Sequence, residues 1–169
     1  MAEGQNTEGD LFDDDDENIQ ENKYLLFHLG GEIYGIPIHD VINIIELQKI
    51  TEVPDVPNYV KGVINLRGAV IPTLDLRLRF GLEAKVYDDR TCIVIVQVKG
   101  KSFGLIVDTV AEVHEIPADK VDPPIDFKKN DIHTQFIAGL GKIGNEVRIL
   151  LDVNKVVIQE DQLIDAKAS

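Results

Sequence analysis

The chain has 169 residues, 44% of them hydrophobic, which suits one ordinary domain or two very small ones. Its net charge is −13, but nine acids and no Lys or Arg fall in residues 1–22, leaving 21 acids against 17 basic residues, or −4, for the body. An acidic body excludes a nucleic-acid binder, because phosphate contact needs a basic surface, and six Phe with four Tyr offer few stacking platforms. One cysteine, Cys92, cannot form an internal disulfide and fits a reducing cytoplasm. The N-terminus lacks the basic and apolar regions of a signal peptide. No apolar run approaches the ~20 residues of a membrane span.

In chain order, residues 1–22 read as a disordered acidic tail in which Leu11-Phe12 is a solvated lead-in rather than a docking motif. "YLLFHLG" and "EIYGIPI" read as strands turned at Gly30-Gly31. "GVINL" and "AVIPTLDL" read as strands meeting at Arg67-Gly68. Arg67 there is either a surface residue at a hairpin tip or a brace over aliphatic side chains, held by an acid such as Glu46. Pro72 cannot donate to a ladder and marks an edge or a bulge. "TCIVIVQVKGKSFGLIV" is two β-runs joined at Lys99-Gly100-Lys101, and "FIAGLGKIGNEVRILLDV" is another pair turned at Gly144-Asn145. Helical signals are short: "DVPNYVKG", "DLRLRFG" and "DVNKVVIQE", with Asp75 and Asp152 as N-caps of the last two. Residues 160–169 form a loose end. The consecutive apolar positions of "VINII" and "CIVIV" imply burial on both sides, or on one side with an apolar exposed face.

Residues 31–47, "GEIYGIPIHDVINIIEL", align without a gap on 100–116, "GKSFGLIVDTVAEVHEI". Gly31, Gly35, Val41 and Glu46 meet Gly100, Gly104, Val110 and Glu115. At a slightly larger offset "IPTLDL" (71–76) resembles "RILLDV" (148–153). The expectation is an all-β body of two five-stranded barrels packed side by side, with short helical connectors. The body spans 23–159, as units 23–88 and 89–159, with strand exchange between them allowed. A groove is expected at their junction.

Catalytic and metal constellations are not apparent. His28, His39, His114 and His133 lack ligand spacing. Cys92 reads as a buried small hydrophobe rather than a nucleophile. The serines, Ser102 and Ser169, lie outside any elbow motif. "GLGKIG" (139–144) formally matches a dinucleotide loop, but "NEVRILL" after it is a strand, so its glycines shape turns. No enzyme, cofactor or metal is expected; a small β-barrel ligand binder would need converging polar groups.

"KGVINLRGAVIPTLDLRLRFG", flanked by "FHLGGEIYGIPIHDVINIIE", "SFGLIVDTVAEV" and "FIAGLGKIGNEVRILLDVNKV" in order, resembles the CheW family of chemotaxis coupling proteins. The likeness runs from about Tyr24 to Val157. It implies SH3-like barrels and a non-catalytic, cytoplasmic adaptor, recruited to membrane receptor arrays, that couples the cytoplasmic tips of chemoreceptors to the histidine kinase CheA. The same scaffold in a pilus-motility or second-messenger pathway is the alternative. The resemblance implies receptor contacts at Val41, Gly62, Arg67, Cys92 and Val113, and kinase contacts at Leu47, Ile50 and Phe127. Relatives carry an acid for the arginine where this chain has Asn43, which leaves Glu46 as substitute; Asp75 and Asp152 are structural.

Overall fold

The computed structural model describes residues 22–124 and 135–157. The elements run β1 (Lys23–Leu29), β2 (Glu32–Pro37), a 3-10 turn (Ile38–Asp40), β3 (Val41–Glu46), β4 (Val60–Leu66), β5 (Ala69–Asp75) and α1 (Leu76–Arg79). Then come β6 (Cys92–Val98), β7 (Lys101–Val107), β8 (Thr109–Glu115), a second 3-10 turn (Ala118–Lys120), β9 (Val121–Asp122), β10 (Ile137–Ile143) and β11 (Glu146–Leu151). A helical segment occupies 153–157.

The strands form a six-stranded sheet, β8-β1-β2-β11-β10-β9, and a five-stranded sheet, β3-β6-β7-β5-β4. The sequence halves do not map one to a sheet. The first half sends the β1–β2 hairpin into the sheet built mainly by the second, and the second sends β6–β7 into the sheet built mainly by the first. The internal repeat is the key to this exchange, since β1–β2 corresponds to β6–β7, β3 to β8, and β4–β5 to β10–β11. Even the parallel pairings correspond: Gly35 lies opposite Leu150, and Gly104 opposite Thr73. Both glycines sit where a neighbouring strand fills the Cβ position. A methyl at Gly35 would stand 2.9 Å from Leu26, and one at Gly104 2.9 Å from Ile93. A β-bulge also recurs, at Ile42 in β3 and at Ala111 in β8.

One apolar cluster fills the space between the sheets. Leu25, Phe27 and Leu29 of β1 and Val94, Val96 and Val98 of β6 enter it at every second residue, as a strand's pleat requires. Ile64, Ile71, Ile93, Ile95 and Ile106 fill the opposite side of the five-stranded sheet. Thus "CIVIV" is buried on both faces, with Ile93 to Val96 all at 0% exposure, whereas "VINII" leaves Ile42 52% and Ile44 41% exposed.

The two caps form as expected. The Asp75 carboxylate accepts from the Arg77 and Leu78 amides at 2.9 and 3.4 Å, and Asp152 from the Asn154 amide at 3.0 Å. Two local expectations are corrected. "DVPNYVKG" is not helical: Asp55 takes φ 61°, the Val60 amide closes a turn on the Pro57 carbonyl, and β4 starts at once. Pro72 lies in an interior strand, neither at an edge nor in a bulge; the β5–β7 ladder begins one residue later, at Thr73, because Pro72 has no N–H to give.

Two charged side chains clamp the halves. Arg79, buried, lies 4.6 Å from the ring centroids of both Tyr59 and Phe136 and donates to the Val156 carbonyl at 3.0 Å. Arg77 binds Asp108 with two bonds of 2.8 Å, and Asp108 also accepts from the Gly30 amide at 3.0 Å. Asp108 is the one residue between β7 and β8, where the chain leaves one sheet for the other. Burial pushes its carboxyl up, but the bonds from Arg77 and Gly30 and the nearby positive charge outweigh burial and hold it below its ordinary value. Its contribution to stability is therefore complete above the unfolded value, near pH ~4, and is lost as pH falls below that. Asp108→Asn is expected to be less stable than the parent at neutral pH, with the difference closing towards pH ~2–3; urea melts across that range measure it.

Candidate functional site

Arg67 and Gly68 are the two loop residues between paired Leu66 and Ala69. Their φ values, 54° and 88°, are both positive, as a type I′ hairpin turn requires. The Asn65 carboxamide accepts from the Gly68 amide at 2.8 Å and fixes the turn. Arg67 is exposed, and among the described residues no ion pair joins it to Glu46. It is a hairpin-tip residue, not a brace. The corresponding turn of the second repeat has Gly144 there, at φ 59°. A left-handed conformation costs a residue with a Cβ roughly 1–2 kcal/mol, which glycine avoids.

The other expected contacts separate into groups. Val41 and Cys92 are half-buried and pack on the edge of the shared core, at the junction of the sheets. Val41 lies opposite Val96, while Cys92 starts β6 between Glu46 and Val107, at the end of the sheet remote from the Arg67 turn. The Cys92 thiol donates to the Arg90 carbonyl at 3.3 Å. Val113 is 48% exposed on β8, in the other sheet, opposite Leu25. Asn43, beside the bulge, spends its side-chain oxygen on the Ile44 amide at 2.9 Å.

Gly62 is buried, and its position is a matter of backbone closure. Thr51 and Val63 exchange two backbone hydrogen bonds of 2.8 and 2.9 Å that tie the chain after β3 to β4. A Cβ on Gly62, whose φ is 144°, would lie 2.0 Å from the Thr51 carbonyl oxygen. Gly139 repeats this in the second unit, with a Cβ position 2.9 Å from the Asp122 carbonyl oxygen beside the β9–β10 pairing.

Leu47 and Ile50 lie together. With Gln48, Glu52, Lys61 and Tyr87 they line a cleft of about 260 Å³. Phe127 is outside the described residues. Tyr87 is a site residue that no sequence pattern singles out, because it sits in the loop between α1 and β6. Its hydroxyl donates to Asp75 at 2.6 Å, on the oxygen not used for the α1 cap. Burial, then the bond to a carboxylate, raises the phenol far above its ordinary range, so the ring stays neutral.

A larger cleft, about 340 Å³, is lined by His28, Lys85, Asp88, Arg90, Asp108 and Thr109. Its acids are already committed, Asp108 to Arg77 and Gly30, and Asp88 to the Arg90 amide and the Thr91 hydroxyl. Among the described residues no three His, Cys, Asp or Glu side chains gather as metal ligands.

Strand order, exchanged hairpins and paired closures define a protein of two SH3-like β-barrels. A family model described as a CheW-like domain matches residues 23–161. The chemotaxis protein CheW of Klebsiella aerogenes is 32% identical over 142 residues, covering 84% of this chain and 85% of the relative. That of Bacillus subtilis is 33% identical over 138 residues, covering 82% and 88%. Protein PilI of Pseudomonas aeruginosa is 29% identical over 113 residues, 65% of this chain and 64% of that one. The crystal structure of the scaffolding protein TtCheW from Thermoanaerobacter tengcongensis superposes with a TM-score of 0.73 at 36% identity, covering 78% of this chain and 89% of that one. The chain belongs to the CheW-like family.

Two substitutions test the closures. Gly62→Ala is expected to cost on the order of 3 kcal/mol or more, because the clash is with backbone and the φ is unsuited to a side chain. Tyr87→Phe is expected to cost about 1 kcal/mol, the net worth of its one hydrogen bond. Chemical denaturation reads both.

Proposed function

We propose that the chain is a non-catalytic chemotaxis adaptor that holds the cytoplasmic tip of chemoreceptors and the regulatory domain of the histidine kinase CheA together. Its body, 23–159, acts in the cytoplasm and is recruited to membrane receptor arrays. Family membership over the whole body supports the class of function. For the receptor side, the observation that carries the reading is Arg67. It is exposed and has no ion pair or side-chain hydrogen bond among the described residues, in a conformation that the matching turn gives to Gly144. A receptor tip is a helical hairpin, and such helices dock by laying an apolar face into a groove. Val41 and Val113 supply apolar surface and Arg67 supplies orientation, while Cys92, at the end of the sheet remote from Arg67, is assigned a separate contact. Gly62 contributes by letting the barrel close. The cleft of Leu47, Ile50 and Tyr87 is the site assigned to the kinase, with Phe127 a second contact.

The runner-up is the same scaffold in another receptor–kinase pathway. The likeness to PilI favours it, but at lower identity and coverage than the CheW relatives.

The discriminating experiment combines kinase, receptor fragment and this chain. Adding the chain is expected to raise kinase autophosphorylation, and the chain alone to leave ATP untouched; turnover by a kinase-free preparation would end the adaptor reading. Val41→Asp is expected to weaken receptor binding by several kcal/mol, on the order of the cost of a desolvated unpaired charge. Arg67→Gly is expected to melt no lower than the parent, because it relieves the turn, and still to bind receptor less well. Wild-type receptor titrations by both folded variants would remove the junction as the receptor site.

A further inference from the structure

A second basic residue shares the peculiarity of Arg67. Lys99 opens the two-residue turn between β6 and β7, with φ 53° and Gly100 after it at φ 80°. The matching turn of the first repeat is Gly30-Gly31, at φ 60° and 90°. Two of the four hairpin tips therefore place a long cation where the other repeat has glycine, and both cations hold the same strained backbone.

Topology brings these two tips to one end. β5 and β7 run parallel from the Thr73–Gly104 pairing, so the turns preceding them lie on the same side of it. One strand spacing separates β5 from β7, and each turn spans one further strand, which puts the tips about 10–15 Å apart. Both residues are exposed, and neither forms an ion pair or side-chain hydrogen bond among the described residues. The body around them is net acidic.

We infer that Lys99 is a partner-contact residue which, with Arg67, forms a two-pronged basic end that engages carboxylates on the receptor-side protein partner. This rests on the receptor reading given above and adds to it a residue and a partner chemistry. Two open cations, with Lys101 beside them already holding a partner of its own, suit discrete carboxylates on a folded surface. A membrane surface or a nucleic acid would call for a broader basic face. Turn geometry alone does not require lysine, since Gly30 makes the same turn. Replacing Lys99 by glycine therefore separates charge from fold.

The test titrates the full chain and its variants with a soluble cytoplasmic receptor fragment, with thermal melts beside each titration. Lys99→Gly is expected to melt at or above the parent and to bind about threefold more weakly, the size of one exposed charge pair. Lys99→Glu is expected to lose about tenfold through like-charge repulsion, and both variants to show a shallower salt dependence than the parent. Parental binding by folded Lys99→Gly and Lys99→Glu, with Val41→Asp still impaired, would overturn the role of Lys99 and leave the receptor reading standing. Failure of the parent chain itself to bind the fragment would overturn both. Lys99-dependent sedimentation of the chain with phosphatidylglycerol vesicles, with receptor binding unmoved, would overturn the assignment in favour of a lipid surface.

Discussion

Neither barrel is complete without a hairpin from the other half of the chain, and every other feature is arranged around that exchange. A unit of about 65 residues has too little core to be secure alone. Here the two halves share a larger core, built from alternate residues of β1 and β6 and their partners in β2 and β7, beside a smaller cluster on the far face of the five-stranded sheet. The cost is that the chain must pass between sheets twice, at Ile38–Asp40 and at Asp108. The second passage is held by Arg77, which carries the charge of Asp108 in a bidentate pair while the Gly30 amide binds the same carboxylate. Arg79, between Tyr59 and Phe136, fastens α1 to the segment ending the second unit. Because a lone buried guanidinium would be expensive, its rings and carbonyl partner specify one mutual placement of the halves.

Much of this was legible in the residue order. Gly30-Gly31, Arg67-Gly68, Lys99-Gly100 and Gly144-Asn145 each mark a two-residue hairpin because each pair holds a glycine that fits positive φ. Asp75 and Asp152 announce their caps by standing just ahead of short apolar-periodic runs. The aligned glycines of the repeat even carry the register of the parallel pairs. The destination of each hairpin was not legible. A repeat states which strands are alike, and like hairpins fit either sheet equally well in pattern. Pro72 misled for a similar reason: proline removes one donor, and an interior strand can tolerate that where its ladder to one neighbour has not yet begun.

The site was legible in proportion to how local its cause is. Arg67 is explained within four residues, from Asn65 to Gly68. Gly62 depends on Thr51, eleven positions away, whose carbonyl oxygen occupies the space of a side chain, and nothing in the sequence around Gly62 reports that approach. Tyr87 depends on Asp75, a residue readable as a cap and not as the acceptor of a further, half-buried bond. The bulge at Ile42 exposes one apolar side chain of β3 and, past it, Ile44, so the apolar run could not be assigned to a face until the register was known.

Separated between Asp88 and Asp89, the chain would describe two similar half-molecules that have traded hairpins, which is the geometry of a domain-swapped homodimer. Joining such halves in one polypeptide makes the swap intramolecular and independent of concentration. It also ends the obligation of the copies to be identical. A symmetric dimer must present the same tip twice, whereas the fused chain gives arginine to one turn and glycine to its twin, lysine to another and glycine to its twin. Covalent linkage is thus what allows a pseudo-twofold scaffold to offer different faces to different neighbours, and so to serve as a junction between unlike components instead of a bridge between identical ones.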